Sequence, residues 1–155
     1  MDTIFFMSRI QMAATLRSVN ILVQDKRGKS LLQMRDGAAS VSPLVWSLWG
    51  GAVEENDRGP RECAARELGE ELGIEAQAHD FEIVGSREST TQIALLVRYV
   101  RPVHWGGFMV HEGAGAGFFW REEIAQLPMS RTLRHYLENS PSLFGASSKF
   151  DAESD

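Results

Sequence analysis

Only one cysteine, Cys63, occurs among the 155 residues. No internal disulfide can form, and cysteine usage gives no sign of an oxidising compartment. Long hydrophobic runs are scarce too. The opening stretch MDTIFFMSRIQMAA has an acidic second residue and an apolar run of only four. That argues against a secretory signal and a membrane span, and cytoplasm is the expected location, with no membrane partner. Positive charge is in short supply: 16 Lys and Arg stand against 21 Asp and Glu, for a formal net charge of -5. A general nucleic-acid binder needs a basic face, so that class is disfavoured. A small nucleotide held through a metal remains open. The histidines His79, His104, His111 and His135 show no metal-ligand spacing. No Gly-x-Ser-x-Gly elbow and no P-loop lysine motif is present, so serine hydrolysis and P-loop phosphoryl transfer find no support. Internal repeats and interior linkers are missing as well. A single domain over 1–145 is expected, with a core of about 17–137 and a polar tail over 146–155 that frays.

What is present is an ordinary globular mixture, 43% apolar and 24% charged. Strands are expected over 17–25, 30–36, 46–54, 81–88, 92–100, 107–112 and 117–120, the first two joined as a hairpin by the turn KRGK. Helices are expected over 121–127 and 130–139. A further helix is expected over 60–72, because Pro60 suits a first turn and Gly73 a stop. Strands and helices do not alternate regularly, which points to an α+β or sandwich arrangement with a mixed sheet. Ile4, Phe5, Phe6 and Met7 are too apolar to float freely. They suit an edge strand, or an interface pairing two chains as a homodimer.

The stretch GGAVEENDRGPRECAARELGEELGI, Gly50 to Ile74, holds the densest chemistry. On a wheel of about 100° per residue, Ala64, Ala65, Leu68 and Leu72 form one apolar stripe. Glu67, Glu70 and Glu71 share a neighbouring arc roughly 100° wide. Spaced i, i+3 and i+4, their carboxylates can meet. Arg66 can pair with Glu70, but one arginine does not neutralise three glutamates. Such a face is either solvated or relieved by a hard divalent cation, which prefers oxygen ligands and can bind phosphate at the same time. Gly50 and Gly51 add a place where backbone can approach a ligand, with a main-chain carbonyl as a further oxygen donor.

This stretch resembles the Nudix box: glycine, five residues, glutamate, seven residues, then Arg-Glu-apolar-any-Glu-Glu-any-Gly-apolar. Arg66, Glu67, Leu68, Glu70, Glu71, Gly73 and Ile74 match its second half position by position. The first half departs, with one residue too many between Gly51 and Arg66. Counting forward, the glutamate position holds Asp57; counting back, it holds Arg58. The segments WSLWGG and HEGAGAGFFWREEIAQLP also resemble a MutT-like Nudix domain, so the likeness covers roughly Arg17 to Leu137.

The resemblance implies an α/β/α sandwich with a mixed β-sheet. It implies a pyrophosphohydrolase that cleaves a diphosphate bond in a small nucleotide, such as a nucleoside triphosphate or nucleotide sugar, with magnesium or manganese. Glu67, Glu70 and Glu71 are the expected metal ligands, the Gly50 carbonyl a helper, and Arg66 the residue that orients the carboxylates. Glu112, in a loop glutamate-glycine context, is expected to bind metal or act as base. Arg35 is a candidate for phosphate, and Trp46 and Trp49 for stacking a base, although each tryptophan also suits the core. Cys63 reads as a packing residue, since thiolate is a poor partner for magnesium. The segment SRTLRHYL lacks the asparagine of the oxidised-guanine enzymes. An alternative is a Nudix-fold sensor that binds a nucleotide without cleaving it. Isopentenyl-diphosphate isomerase shares the fold but needs a cysteine outside the box helix.

Overall fold

A computed structural model of the protein describes residues 14–38 and 44–147. The apolar segment Ile4 to Met7 and tail residues 148–155 lie outside the described residues. The elements are β1 (Thr15–Leu22), β2 (Ser30–Met34), β3 (Trp46–Ser47), β4 (Trp49–Ala52), α1 (Pro60–Leu72), β5 (Phe81–Glu88), β6 (Gln92–Tyr99), β7 (Gly115–Phe119), α2 (Arg121–Ile124) and α3 (Arg131–Asn139).

The strands form two sheets. One is four-stranded in the order β4-β1-β6-β5, the other three-stranded in the order β3-β2-β7. Strand β1 runs antiparallel to β4 and parallel to β6, which makes the larger sheet mixed. This is the expected α+β class. The expected β1–β2 hairpin does not form as a ladder. Both edges of β1 are taken by β4 and β6, so only a bridge between Gln24 and Ser30 survives at the turn. Strand β2 then crosses into the second sheet, pairing β3 and β7.

Strand alternation divides the interior in two, because successive side chains point to opposite faces. Val19, Ile21, Leu31 and Val97 face α1, with Leu68 and Leu72. Leu22, Leu32 and Leu96 face the other way, onto Leu133 and Tyr136 of α3 and Ile124 of α2. The result is a sandwich with helices on both sides.

The box helix ends where local signals place it. Pro60 occupies its first turn, and Gly73 closes it at φ 65 with its N–H donating to the Gly69 carbonyl at 3.0 Å. Ser130 caps α3, its hydroxyl accepting from the Leu133 N–H at 3.2 Å. One expectation changes. The 107–112 segment is no strand; it is tied to the end of α1 by Met109 N–H to Leu72 C=O at 3.0 Å and His111 N–H to Glu71 C=O at 2.8 Å. At the end of the described residues, Gly145 C=O accepts from Arg121 N–H, and Ser147 N–H donates to Glu122.

Candidate active site

The α1 wheel places Cys63, Ala64, Glu67, Leu68, Glu71 and Leu72 in the interior. Glu67 and Glu71 are therefore not a solvated face: they are 8% and 2% exposed. They sit where the apolar stripe meets β4, and the two glycines make room for them. A Cβ on Gly51 would run into the Glu67 carboxylate, and one on Gly50 into the Val19 carbonyl oxygen. Gly50 also sits at φ 129, which side-chain-bearing residues rarely adopt. Its amide ties it to the site: Gly50 N–H donates to Glu71 Oε2 at 2.9 Å.

Glu112 arrives from the loop after β6. Gly113, at φ 85, turns the chain so that Ala114 N–H meets the Met34 carbonyl at 2.8 Å and β7 begins. This places Glu112 on the same cleft wall as Glu71. Burial pushes Glu71 up to about 9; the neighbouring Glu67 and Glu112 carboxyls add to this, against the pull of Gly50 N–H. Glu67 is raised as well, chiefly by burial, with Arg66 acting against it.

Arg66 lies behind these carboxylates. Its Nε and Nη2 meet Asp57 Oδ1 and Oδ2 at 3.0 and 2.9 Å. Its Nη1 reaches Glu67 at 3.1 Å and Glu70 at 3.2 Å, and Nη2 donates to Ala52 C=O at 3.1 Å. The guanidinium holds Asp57 down to about 2. Cys63 packs beside Ala52 and Arg66, and burial pushes its thiol up to about 12.

Two clefts open in front. One, of about 490 Å³, is lined by Gln33, Arg35, Gly50, Gly51, Glu71 and Glu112. The other, of about 530 Å³, continues from it past Arg17, Asn20, Arg35, Arg87, Arg131 and Thr132. Arg87 is held there by Thr132 at 3.1 Å. Among the described residues no three His, Cys, Asp or Glu side chains stand as a ready-made metal cage. The donor set nonetheless fits a hard divalent cation. It is all oxygen, and its buried carboxylates repel one another, which a cation would relieve.

Of the residues singled out in the sequence, Gly50, Glu67, Glu71 and Glu112 come together. Glu70 stands outside with a side chain 57% accessible, bonded to Arg66. Arg35 lines both clefts. The tryptophans do not line them. Trp49 is fully buried, its indole N–H donating to Leu31 C=O at 2.8 Å. Trp46 packs edge-on against Phe119 at 4.8 Å. Asn20, Arg17, Arg87 and Thr132 line the second cleft and were not singled out in the sequence. The signal for the first lay in β1, where Ser18 and Asn20 interrupt an apolar strand at every second position.

The chain resembles several known proteins. The sequence pattern described as NUDIX domain matches residues 14–127. A CTP pyrophosphohydrolase of Escherichia coli K12 is 33% identical over 106 residues, covering 68% of this chain and 77% of the relative. The solution structure of the E. coli ORF135 protein aligns with a TM-score of 0.61 at 28% identity, over 84% of this chain and 91% of that one. A MutT structure from a study of Aliivibrio salmonicida and Vibrio cholerae aligns with a TM-score of 0.63 at 16% identity, over 83% and 94%. With the box on α1 and the fold around it in place, the chain belongs to the Nudix family and is a hydrolase of phosphorus-containing anhydrides.

Proposed function

We propose that this chain is a metal-dependent pyrophosphohydrolase of small nucleotides, working in the cytoplasm, with CTP the first nucleoside triphosphate to test. The observation that carries the reading is the buried pair Glu67 and Glu71 facing Gly50 and Gly51, with Glu112 lining the same cleft as Glu71. The CTP activity of the E. coli relative supports the choice of substrate.

Glu67, Glu71 and Glu112 would hold magnesium or manganese, with Glu70 at the outer edge. Bound there, the cation would lower the pKa of the attacking water and offset charge on the phosphates. Arg35, where the two clefts meet, binds phosphate oxygens, and the nucleoside lies along the cleft past Asn20 and Arg87. The water oxygen adds to a phosphorus of the anhydride, its proton passes to the Glu112 carboxylate, and the bridging P–O bond breaks with the phosphate group leaving. Arg66, clamped by Asp57, positions Glu67 and Glu70 and does not touch substrate.

The test is phosphate release, through a coupled phosphatase, from CTP, the other triphosphates and nucleotide sugars. Each is run with magnesium, with manganese and with EDTA, on the wild type and Glu67→Gln. Metal-dependent turnover lost in the variant supports the reading. Tight nucleotide binding with no turnover on any substrate would replace it with a sensor.

A further inference from the structure

A third cavity lies at the turn between β1 and β2, remote along the sheet from the glutamates. It measures about 510 Å³ and is lined by Lys26, Arg27, Lys29, His104, Trp105 and Phe118. No lining residue is shared with the two clefts at the glutamates. One wall is aromatic. Trp105 is 61% exposed, yet its ring is braced by Phe108 at 5.3 Å and edge-on by Phe118 at 5.2 Å. Phe108 and Phe118 are themselves packed on the core, so the indole is an open but supported face.

The other wall is cationic. Lys26, Arg27 and Lys29 fall within four residues of a chain whose net charge is -5. The acid lining the cavity, Asp25, is occupied in closing the turn: its Oδ1 accepts from Arg27 N–H at 2.9 Å and Lys29 N–H at 3.0 Å. Arg27 and Lys29 also stand over the ring of Trp120, which does not line the cavity, at 5.7 and 5.3 Å, and Arg27 Nε lies 3.8 Å from Asp25 Oδ2. A stacking face opposite clustered ammonium and guanidinium groups is complementary to a flat ring that carries an anion. The volume suits a ligand of nucleotide size.

We propose that this cavity binds a nucleoside monophosphate, at a site separate from the glutamate cleft. The ring stacks on Trp105 and the phosphate meets Lys26 and Lys29.

The test is titration of the whole protein in EDTA with AMP, CMP, adenosine and inorganic phosphate. Calorimetry is read together with the indole N–H resonance of Trp105. AMP or CMP should shift that resonance, and adenosine or phosphate alone should bind at least about tenfold more weakly. Trp105→Ala should weaken nucleotide binding about tenfold. The double change Lys26→Ala with Lys29→Ala should weaken it and flatten its salt dependence. The Trp105 resonance separates this site from the hydrolytic clefts, which no tryptophan lines. Nucleotide affinity unchanged in both cavity variants overturns the proposal. So does adenosine binding as tightly as AMP. A wild-type dimer that Trp105→Ala converts to monomer by sedimentation also overturns it, by giving the face to a second copy.

Discussion

Asp57 and Arg66 make a two-point contact, with nitrogen–oxygen distances of 3.0 and 2.9 Å, and the Asp57 side chain is only 6% accessible. An aspartate thus grips the box arginine despite the extra residue in the loop before the helix. Asp57→Asn should cost about 2 kcal/mol of stability, since a charge-assisted pair is lost. The pH dependence has a definite sign. The folded pKa, about 2, lies below the ordinary 3.8, so the stabilisation is complete above about pH 4 and is lost as pH falls toward 2. Urea unfolding from pH 2 to 5 should show this slope in the wild type, and a flatter one in the variant.

Glu71 has the opposite sign. Its folded pKa, about 9, lies above the ordinary 4.5, so without metal its contribution falls as pH rises between the two. Glu71→Gln should flatten the stability profile over that window. Because a metal ligand must be deprotonated, magnesium or manganese binding should release about one proton near pH 7 and tighten as pH rises. Calorimetry in two buffers of different ionisation enthalpy measures this. Equal heats in both would contradict it.

The two glycines should fail differently. Gly50→Ala meets both an unfavourable φ of 129 and the Val19 carbonyl, and should cost about 2 kcal/mol or more in thermal unfolding. Gly51→Ala meets the end of the Glu67 side chain, which can swing away. It should keep most of the stability and lose about 100-fold in kcat, the size expected when a catalytic group is displaced.

The glutamates should rank by placement. Glu67→Gln and Glu112→Gln should each lower kcat by about 10²-fold or more. Glu70→Gln, at an exposed position on Arg66, should lower it least. Steady-state kinetics with CTP and magnesium gives the order, and equal losses at all three would contradict this arrangement.

Trp49→Phe should remove the indole bond to Leu31, cost about 1 kcal/mol, and leave KM unchanged. A raised KM would return this tryptophan to the substrate.

The box helix was legible to the residue, because Pro60 and Gly73 act through their own backbone conformations and need no partner. The strands were legible by alternation, and the spacing of Arg66, Glu67, Glu70 and Glu71 carried the family. Pairing was not legible. The sequence order of β1 and β2 suggests a hairpin, yet β4 and β6 claim both edges of β1, and only long-range contacts decide that. The 107–112 segment has strand-like residues, but the open carbonyls at the end of α1 capture its amides.

The chain by itself determined which carboxylates share a helical arc, since that follows from 3.6 residues per turn. Tertiary structure decided which of them are buried. Glu67 and Glu71 are carried under β4, where burial raises their pKa values, while Glu70, one step round the same helix, is left in water beside Arg66. A wheel sets angles between residues, but only the packing of a second element sets the dielectric each one meets.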